Sequence, residues 1–178
     1  MVSILSWNLD GLDDEELEAR TEAVIGIVLQ GNYDVVFFQE LVPSTFIKYC
    51  EGLSEKYKVI SGFAGCVYFI ATLLRKAPSI RYLDHYIHPF PNTTMGRNLL
   101  VTKVSIVNLK LALLNTHLES MLPSSEERKT QLKTCFQIAL NFPPDFNVFF
   151  GGDMNLRDWE ATADSENMRI SGFKMGVG

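Results

Sequence analysis

Hydrophobic residues in this chain fall into short runs of strand length, and several of these runs end abruptly in polar residues. Runs of four to eight residues rich in β-branched and aromatic side chains, bounded by turn residues, are typical of buried strands. The predicted strands are Val2–Trp7, Asp34–Phe38, Tyr57–Ile60, Cys66–Leu74, Ile80–Ile87, Asn98–Val107, Lys110–Asn115 and Phe146–Phe150. Only Asn108 and its neighbours separate the sixth and seventh strands, so we expect those two to pair antiparallel.

Helical periodicity predicts four helices. The first has Asp13 and Glu16 at the spacing of a capping box, and Gly31 is placed as its C′ residue. The other helices are expected from Pro43 to Leu53, from about Ser124 up to Pro143, and from Asp158 through Ala163. The tail from Asp164 to Gly178 has no assignable pattern. The sequence therefore predicts one α/β domain over residues 1–178.

Composition and charge narrow the class of protein. A chain of 178 residues can bury a substantial core, and no apolar run approaches the roughly 20 residues of a membrane span. The net charge of −5 argues against a broad phosphate-coating surface, but a bound cation could still supply positive charge locally. The N-terminus lacks the basic region of a signal peptide, and Cys50, Cys66 and Cys135 are widely spaced. We expect free thiols in a reducing compartment.

Chemically useful side chains follow four of the predicted strands. They are Asn8 and Asp10, Glu40, His117 and Glu119, and Asp153 and Asn155. If these strands neighbour one another in one sheet, the groups meet at its edge. Carboxylate and amide oxygens suit Mg²⁺ or Mn²⁺, whereas no Cys/His cluster has the spacing of a zinc site. This hypothesis requires the carboxyl groups of Glu40 and Asp153 to lie on the same side of the molecule.

The members of this set also have structural explanations when each is taken alone. Asn8 and Asp10 fit an Asx turn, and Glu40 fits a solvated strand end. His117 alone is more often a structural histidine than a catalytic one. Arg97, after a proline-rich turn, fits either a surface charge or a phosphate contact. The joint pattern predicts metal-assisted phosphate chemistry.

Two glycines directly precede the last group of polar residues. Gly151 and Gly152 are expected to turn the backbone sharply after the strand and to deliver Asp153, Asn155, Arg157 and Asp158 together. The alternative is an ordinary polar turn behind a core strand.

Four motifs, in chain order, resemble the endonuclease/exonuclease/phosphatase superfamily. They are SWNLDGLD at Ser6–Asp13, FFQE at Phe37–Glu40, THLES at Thr116–Ser120 and GGDMNLRD at Gly151–Asp158. Together with PFPNTTMGRNLL at Pro89–Leu100, they are closer still to its 5′-tyrosyl-DNA phosphodiesterase branch. The resemblance extends from Val2 to about Ala161. It implies a two-sheet α/β/β/α sandwich of the α/β (α+β) class.

The resemblance also implies residue roles. Glu40 would bind Mg²⁺ directly, with Mn²⁺ as a second option, and Asp10 would support the ion partly through water. Asp153 would be the acid/base group that orients the attacking water, and Asn8, His117 and Asn155 would complete the catalytic set. The residues implied in substrate binding are Asn8, Leu9, Asp10, Gly11, Leu12, Arg97, His117, Leu118, Glu119, Ser120, Asn155, Leu156 and Arg157.

The implied reaction is hydrolysis of the bond between a topoisomerase tyrosine and a DNA 5′ phosphate during DNA repair. The implied partner is a DNA 5′ end that carries a tyrosyl or peptide adduct. The protein is expected to act as a monomer. Its expected compartment is the nucleus, with the cytoplasm as a second compartment. Two alternatives stay open. The chain is a catalytically impaired fragment or regulatory binding form, or it acts on the abasic sites, inositol phosphates or poly(A) tails that other branches process.

One part of the family pattern has no counterpart in this chain. The resemblance implies a further half-domain after the GGDMNLRD motif, with a late Ser-Asp-His motif whose histidine binds phosphate. No such tripeptide occurs before Gly178. We therefore expect an N-terminal portion of the domain with open sheet edges, marginal stability, and weak or absent catalysis by itself.

Overall fold

The computed structural model describes residues 1–163, in which two four-stranded sheets pack against each other and helices cover their outer faces. The elements are β1 Ile4–Asn8, α1 Leu17–Gly31, β2 Val35–Leu41, α2 Pro43–Leu53, β3 Tyr57–Ser61, β4 Phe69–Arg75, β5 Ile80–Pro89, β6 Asn98–Ile106, β7 Leu109–His117, α3 Ser125–Leu140, β8 Phe146–Asp153 and α4 Asp158–Ala163. The predicted two-sheet sandwich is confirmed. The tail that the sequence left unassigned, residues 164–178, lies outside the described part.

Both sheets contain one parallel pair of strands at an edge. The first sheet has the order β1-β2-β4-β3, and β1 runs parallel to β2 after the crossover helix α1. The second has the order β5-β6-β7-β8, and β7 runs parallel to β8 after the crossover helix α3. Pairing of β6 with β7 is antiparallel, as predicted. The four strands that end in polar residues therefore belong to two sheets, so the condition that they share one sheet is not met.

The hydrophobic core explains why the two sheets pack together. Between them lie side chains from both, including Val35 and Phe37 of β2 and Leu100 and Leu113 of β6 and β7, all fully buried. Two further clusters lie under α1 and α2 on one outer face and under α3 on the other. No helix in residues 1–163 is long and apolar enough to span a membrane.

The predicted start of α1 was wrong. Asp13 accepts a hydrogen bond from the backbone N–H of Glu15, as in an Asx turn, instead of capping the helix. The helix begins at Leu17, and Glu16 precedes it with φ of 48° and no side-chain cap. At the other end, Gly31 was predicted as the C′ residue, but it is the last residue of the helix. Asn32 follows it and adopts the left-handed conformation. Asparagine is the residue next best suited to that conformation after glycine.

The expectation of a glycine turn after the last strand was also wrong. Strand β8 continues through Gly151 and Gly152, which pair with Asn115 and Thr116 of β7, and it ends only at Asp153. Gly152 has φ of 128°, and a Cβ atom there would lie 2.0 Å from the carbonyl oxygen of Thr116. The glycine is required because the two backbones approach closely within the sheet.

Candidate active site

The polar ends of β1, β2, β7 and β8 meet where the two sheets pack together. The side-chain amide of Asn8 donates to Oδ2 of Asp153 across 2.8 Å and so joins the two sheets. Nε2 of His117 lies 3.5 Å from Oε1 of Glu40 and 3.7 Å from Oδ2 of Asp153. Glu40 and Asp153 therefore face the same point, as the metal-site hypothesis requires.

Unusual backbone geometry is concentrated at this site. Seven non-glycine residues in the described part of the chain have positive φ, and three of them are Asp10 (49°), Glu40 (57°) and Asn155 (51°). L-residues seldom adopt this conformation, and it persists where the surrounding structure enforces it, commonly at functional sites. Glu40 lies in a bulge, because the register of β2 against β4 shifts between Phe38 and Leu41. The bulge explains how a residue inside a strand reaches the site.

The glycine of the first motif is explained by the same bulge. A Cβ atom at Gly11 would lie 2.1 Å from the carbonyl oxygen of Glu40, so only glycine allows the loop after β1 to pack against it. The backbone N–H of Leu9 donates to the carbonyl of Gln39 at 3.0 Å. These contacts fix the loop that carries Asp10 to the bulge that carries Glu40.

A buried amide network behind Glu40 was not predicted from the sequence. The amide nitrogen of Asn115, on β7, donates to the carbonyls of Ala71 (2.9 Å) and Phe38 (3.4 Å), and its oxygen accepts from the side chain of Gln39 at 2.9 Å. Asn115 and Gln39 are both fully buried. The network crosses from one sheet to the other and bonds a carbonyl at the base of the bulge. The sequence hinted at it only through polar residues at otherwise apolar strand positions.

His117 is held in one tautomer. The guanidinium of Arg97 donates to Nδ1 of His117, and because a guanidinium has no acceptor, Nδ1 must be unprotonated. Burial, together with the positive charge of Arg97, lowers the pKa of His117 to about 4. At neutral pH the ring is therefore neutral, and it presents Nε2–H as a hydrogen-bond donor towards Glu40 and Asp153.

Arg97 is held between the ring of Tyr68 and the imidazole of His117. It is buried, and its guanidinium carbon lies 4.7 Å from the ring centroid of Tyr68, a cation–π contact. Burial lowers the pKa of Arg97, and nearby Tyr68 and Glu119 partly oppose this effect. The sequence proposed Arg97 but missed Tyr68, which falls within the predicted strand Cys66–Leu74 and lies in the loop before β4.

The remaining predicted substrate-binding residues divide by exposure. Leu9 and Leu118 are buried in the core, and their backbone N–H groups donate to the carbonyls of Gln39 and Asp153. Leu156 packs against the cluster under α3. Leu12 is exposed, and the hydroxyl of Ser120 donates to the sulfur of Met95 at 3.3 Å.

Asn155 and Arg157 lie just beyond β8. The backbone N–H of Asn155 donates to Oδ1 of Asp153 at 2.9 Å, and its side-chain amide donates to the carbonyl of Leu118 at 3.0 Å. The guanidinium of Arg157 lies 3.8 Å from the buried carboxylate of Glu160. Both oxygens of Asp153 are therefore bonded, Oδ2 to Asn8 and Oδ1 to Asn155.

Glu119 does not face the other carboxylates. Its side chain is fully buried and accepts hydrogen bonds from Thr93, Thr94 and Met95, in the loop between β5 and β6. These bonds outweigh the effect of burial and keep the pKa of Glu119 below its ordinary value.

A buried ion pair supports the loops behind the site. Arg128 of α3 and Glu160 of α4 are both buried and form a salt bridge, and Arg128 also donates to the carbonyls of Glu119 (2.9 Å) and Met121 (3.0 Å). The sequence did not single out either residue. A basic residue inside a helix with acidic neighbours resembles any solvated helix face, so tertiary packing alone reveals the pair.

The donor set fits a hard divalent cation that keeps much of its hydration shell. Among residues 1–163 no group of three or more His, Cys, Asp or Glu side chains could hold a metal ion. Mg²⁺ instead typically takes one or two carboxylates and completes its shell with water and substrate phosphate. Glu40 is a partly exposed carboxylate at the site, and the exposed Asp10 follows β1 beside it.

This fold and these motifs define the class. The profile of the Endonuclease/Exonuclease/phosphatase family matches residues 5–170, and the chain belongs to that family. Tyrosyl-DNA phosphodiesterase 2 from Xenopus laevis is 40% identical over 161 residues, which cover 89% of this chain and 42% of that protein. The human tyrosyl-DNA phosphodiesterase 2 is 37% identical over 162 residues, covering 91% and 44%. The chain thus spans less than half the length of these curated relatives.

Solved structures agree with the sequence relatives. A humanized TDP2 from D. rerio superposes with a TM-score of 0.86 and 38% identity, covering 92% of this chain and 70% of that one. D. rerio TDP2 in complex with a single-strand DNA product gives a TM-score of 0.85 at 38% identity, covering 91% and 64%. The two-sheet architecture and the resemblance to the 5′-tyrosyl-DNA phosphodiesterase branch are therefore confirmed.

Proposed function

We propose that this chain carries the catalytic groups of a divalent-metal-dependent 5′-tyrosyl-DNA phosphodiesterase. The observation that carries the proposal is the convergence of Glu40 and Asp153 on Nε2 of His117, with Asn8 bonded to Asp153, at the joined ends of four strands. The names of the similar proteins support the choice of substrate, as does the DNA product bound to D. rerio TDP2. The proposed partner is a DNA 5′ end with a tyrosyl or peptide adduct, and we propose that a monomer acts on it in the nucleus.

Asp153 has the surroundings of an acid/base group. Asn8 and the backbone N–H of Asn155 each hold one of its oxygens, which fixes the carboxylate in one orientation. Its remaining lone pairs can then accept a proton from a water molecule aligned opposite the leaving tyrosine. The tyrosyl oxygen is a comparatively good leaving group, because a phenol has a pKa of about 10.

Negative charge that develops on the phosphoryl oxygens in the transition state is stabilised by hydrogen-bond donors and positive charges. Neutral His117 offers Nε2–H, and Arg97 supplies a fixed positive charge behind it. Glu40 and Asp10 would hold Mg²⁺, with Mn²⁺ as a substitute, and the bound ion supplies further stabilisation of negative charge.

The test is hydrolysis of a 5′-phosphotyrosyl oligonucleotide with and without Mg²⁺. The proposal expects weak, metal-dependent release of tyrosine by this chain alone, which disappears in Glu40→Ala and persists in Glu126→Ala, a matched change at an exposed carboxylate on α3. Comparing the phosphotyrosyl substrate with abasic-site DNA and an inositol phosphate tests the branch. Faster hydrolysis of either of the latter would contradict the proposed substrate.

A binding or regulatory form is the second candidate. It is favoured by the open edge of the second sheet, where β8 carries the 39% exposed side chain of Phe149. Under this alternative the chain binds the oligonucleotide without turnover, and Glu40→Ala leaves that binding unchanged.

A further inference from the structure

We propose that Glu119 is a positioning residue that orders the loop at residues 93–97 and, through Arg97, sets the tautomer of His117. This inference rests on the proposed function, because it assigns Glu119 to the assembly of that site and not to substrate contact. The following contacts connect Glu119 to His117 in steps.

The carboxylate of Glu119 is the centre of the loop. Oε1 accepts from the hydroxyl of Thr93 (2.6 Å) and from the backbone N–H groups of Thr94 (2.8 Å) and Met95 (3.2 Å), and Oε2 accepts from the hydroxyl of Thr94 at 3.4 Å. Each of these four groups donates to the carboxylate, and three of them share Oε1, so the loop is organised around acceptor oxygens. A fully buried carboxylate with four such bonds has no exposed oxygen for a substrate.

Thr93 connects the carboxylate of Glu119 to the backbone of Arg97. Its hydroxyl donates to Glu119 and accepts from the backbone N–H of Arg97 at 2.8 Å, so the carboxylate fixes the direction of the hydroxyl. The sulfur of Met95 then accepts from the Arg97 guanidinium at 3.6 Å. With its backbone and one guanidinium nitrogen held, Arg97 can keep its other nitrogen on Nδ1 of His117.

The backbone of Glu119 is anchored from below. Its N–H donates to the side chain of Gln131 at 2.9 Å, and its carbonyl accepts from Arg128, which is paired with Glu160. The position of Glu119 is therefore set by its bonds to α3 and not by the loop. The loop at residues 93–97 is in turn held by the side chain of Glu119.

Two independent substitutions test the proposal, each with a matched control. Glu119→Gln removes the negative charge at the centre of the loop and replaces one of its two acceptor oxygens by an N–H₂ group, and Glu126→Gln makes the same change at an exposed carboxylate. Thr93→Val removes the hydroxyl at nearly constant volume, and Thr93→Ser retains it. Both Thr93 variants leave the core intact, so this pair remains informative if Glu119→Gln does not fold.

The readouts are taken on the free protein and need no turnover. Histidine ¹⁵N NMR reports which ring nitrogen of His117 carries the proton, with His85 and His88 as internal references. Hydrogen exchange reports the amide of Arg97. Glu119→Gln and Thr93→Val are expected to give a mixture of His117 tautomers and to speed exchange at Arg97 about ten-fold, whereas both controls retain the Nε2–H tautomer and slow exchange.

Two results would overturn the proposal. The first is an unchanged His117 tautomer and unchanged Arg97 exchange in folded Thr93→Val. The second is a loss of oligonucleotide binding in Glu119→Gln with the free-protein spectra of His117 unaltered, which would make Glu119 a substrate contact. Failure of the phosphodiesterase assay alone would leave both spectroscopic outcomes measurable, so the two proposals fail separately.

Discussion

The buried pair of Arg128 and Glu160 gives a stability prediction that depends on pH in a defined direction. Burial opposes ionisation of Glu160, but hydrogen bonds from Arg128, Ser125 and the backbone of Arg157 outweigh it and lower the pKa of Glu160 to about 2. The folded pKa lies below the value of the unfolded chain. The stabilisation is therefore fully present above about pH 4.5 and is lost as the pH falls towards 2.

The magnitude follows from the same pKa. A fall from the ordinary value of 4.5 to about 2, at about 1.4 kcal/mol per pKa unit, corresponds to about 3 kcal/mol at neutral pH. Breaking a buried ion pair typically costs about 3–5 kcal/mol, because the remaining charge stays buried. Glu160→Gln should therefore lower the free energy of unfolding at pH 7 by about 3 kcal/mol.

Urea unfolding at several pH values measures this difference. The gap between the unsubstituted chain and Glu160→Gln should shrink to about half at pH 3, because glutamine does not titrate. Glu126→Gln, at an exposed carboxylate paired with Lys129, should change little at either pH. A gap that is equally large at pH 7 and pH 3 would mean that packing, and not the charge of Glu160, produces the stabilisation.

Three further substitutions test the packing that builds the site, each by the free energy of unfolding in urea. Gly152→Ala should cost about 2–4 kcal/mol, because its Cβ would meet the carbonyl of Thr116, whereas Gly26→Ala has open space within α1 and should be neutral or slightly stabilising. Thr102→Val should be neutral or stabilising by up to about 1 kcal/mol, since its buried hydroxyl has no hydrogen-bond partner among residues 1–163. Asn115→Leu should cost about 3 kcal/mol, because it leaves buried amide and carbonyl partners unpaired; a loss below 1 kcal/mol would contradict the role given to the network.

Short-range patterns predicted the elements well. The strands β2, β6 and β7 and the helices α2, α3 and α4 were predicted to within a few residues, because their apolar runs and proline boundaries are local signals. The errors occurred where one residue type suits two different local structures. Asp13 makes an Asx turn where a capping box was expected, and Gly152 serves a close contact where a turn was expected.

The candidate site was only partly predictable, for a different reason. Carboxylates and amides at strand ends are visible in the sequence, so Asn8, Glu40 and Asp153 were found. Glu119 was found as well, but the direction in which its side chain points was not predicted. Its side chain bonds to Thr93, which is 26 residues distant in sequence. Residues that act through buried contacts carry only a weak signal until packing is known, as the polar Asn115 at an otherwise apolar strand position illustrates.

The strained positions suggest how the fold keeps such a site assembled. Asp10, Glu40 and Asn155 each carry positive φ, and each is next to a contact between the two sheets or between a sheet and its loop. Left-handed residues of this type cost about 1–3 kcal/mol each, so the packing of the sheets must impose them. Loosening of the interface between the sheets should therefore release these residues first, and metal affinity should fall before the global free energy of unfolding does. The Asn115→Leu variant allows the two quantities to be compared in one protein.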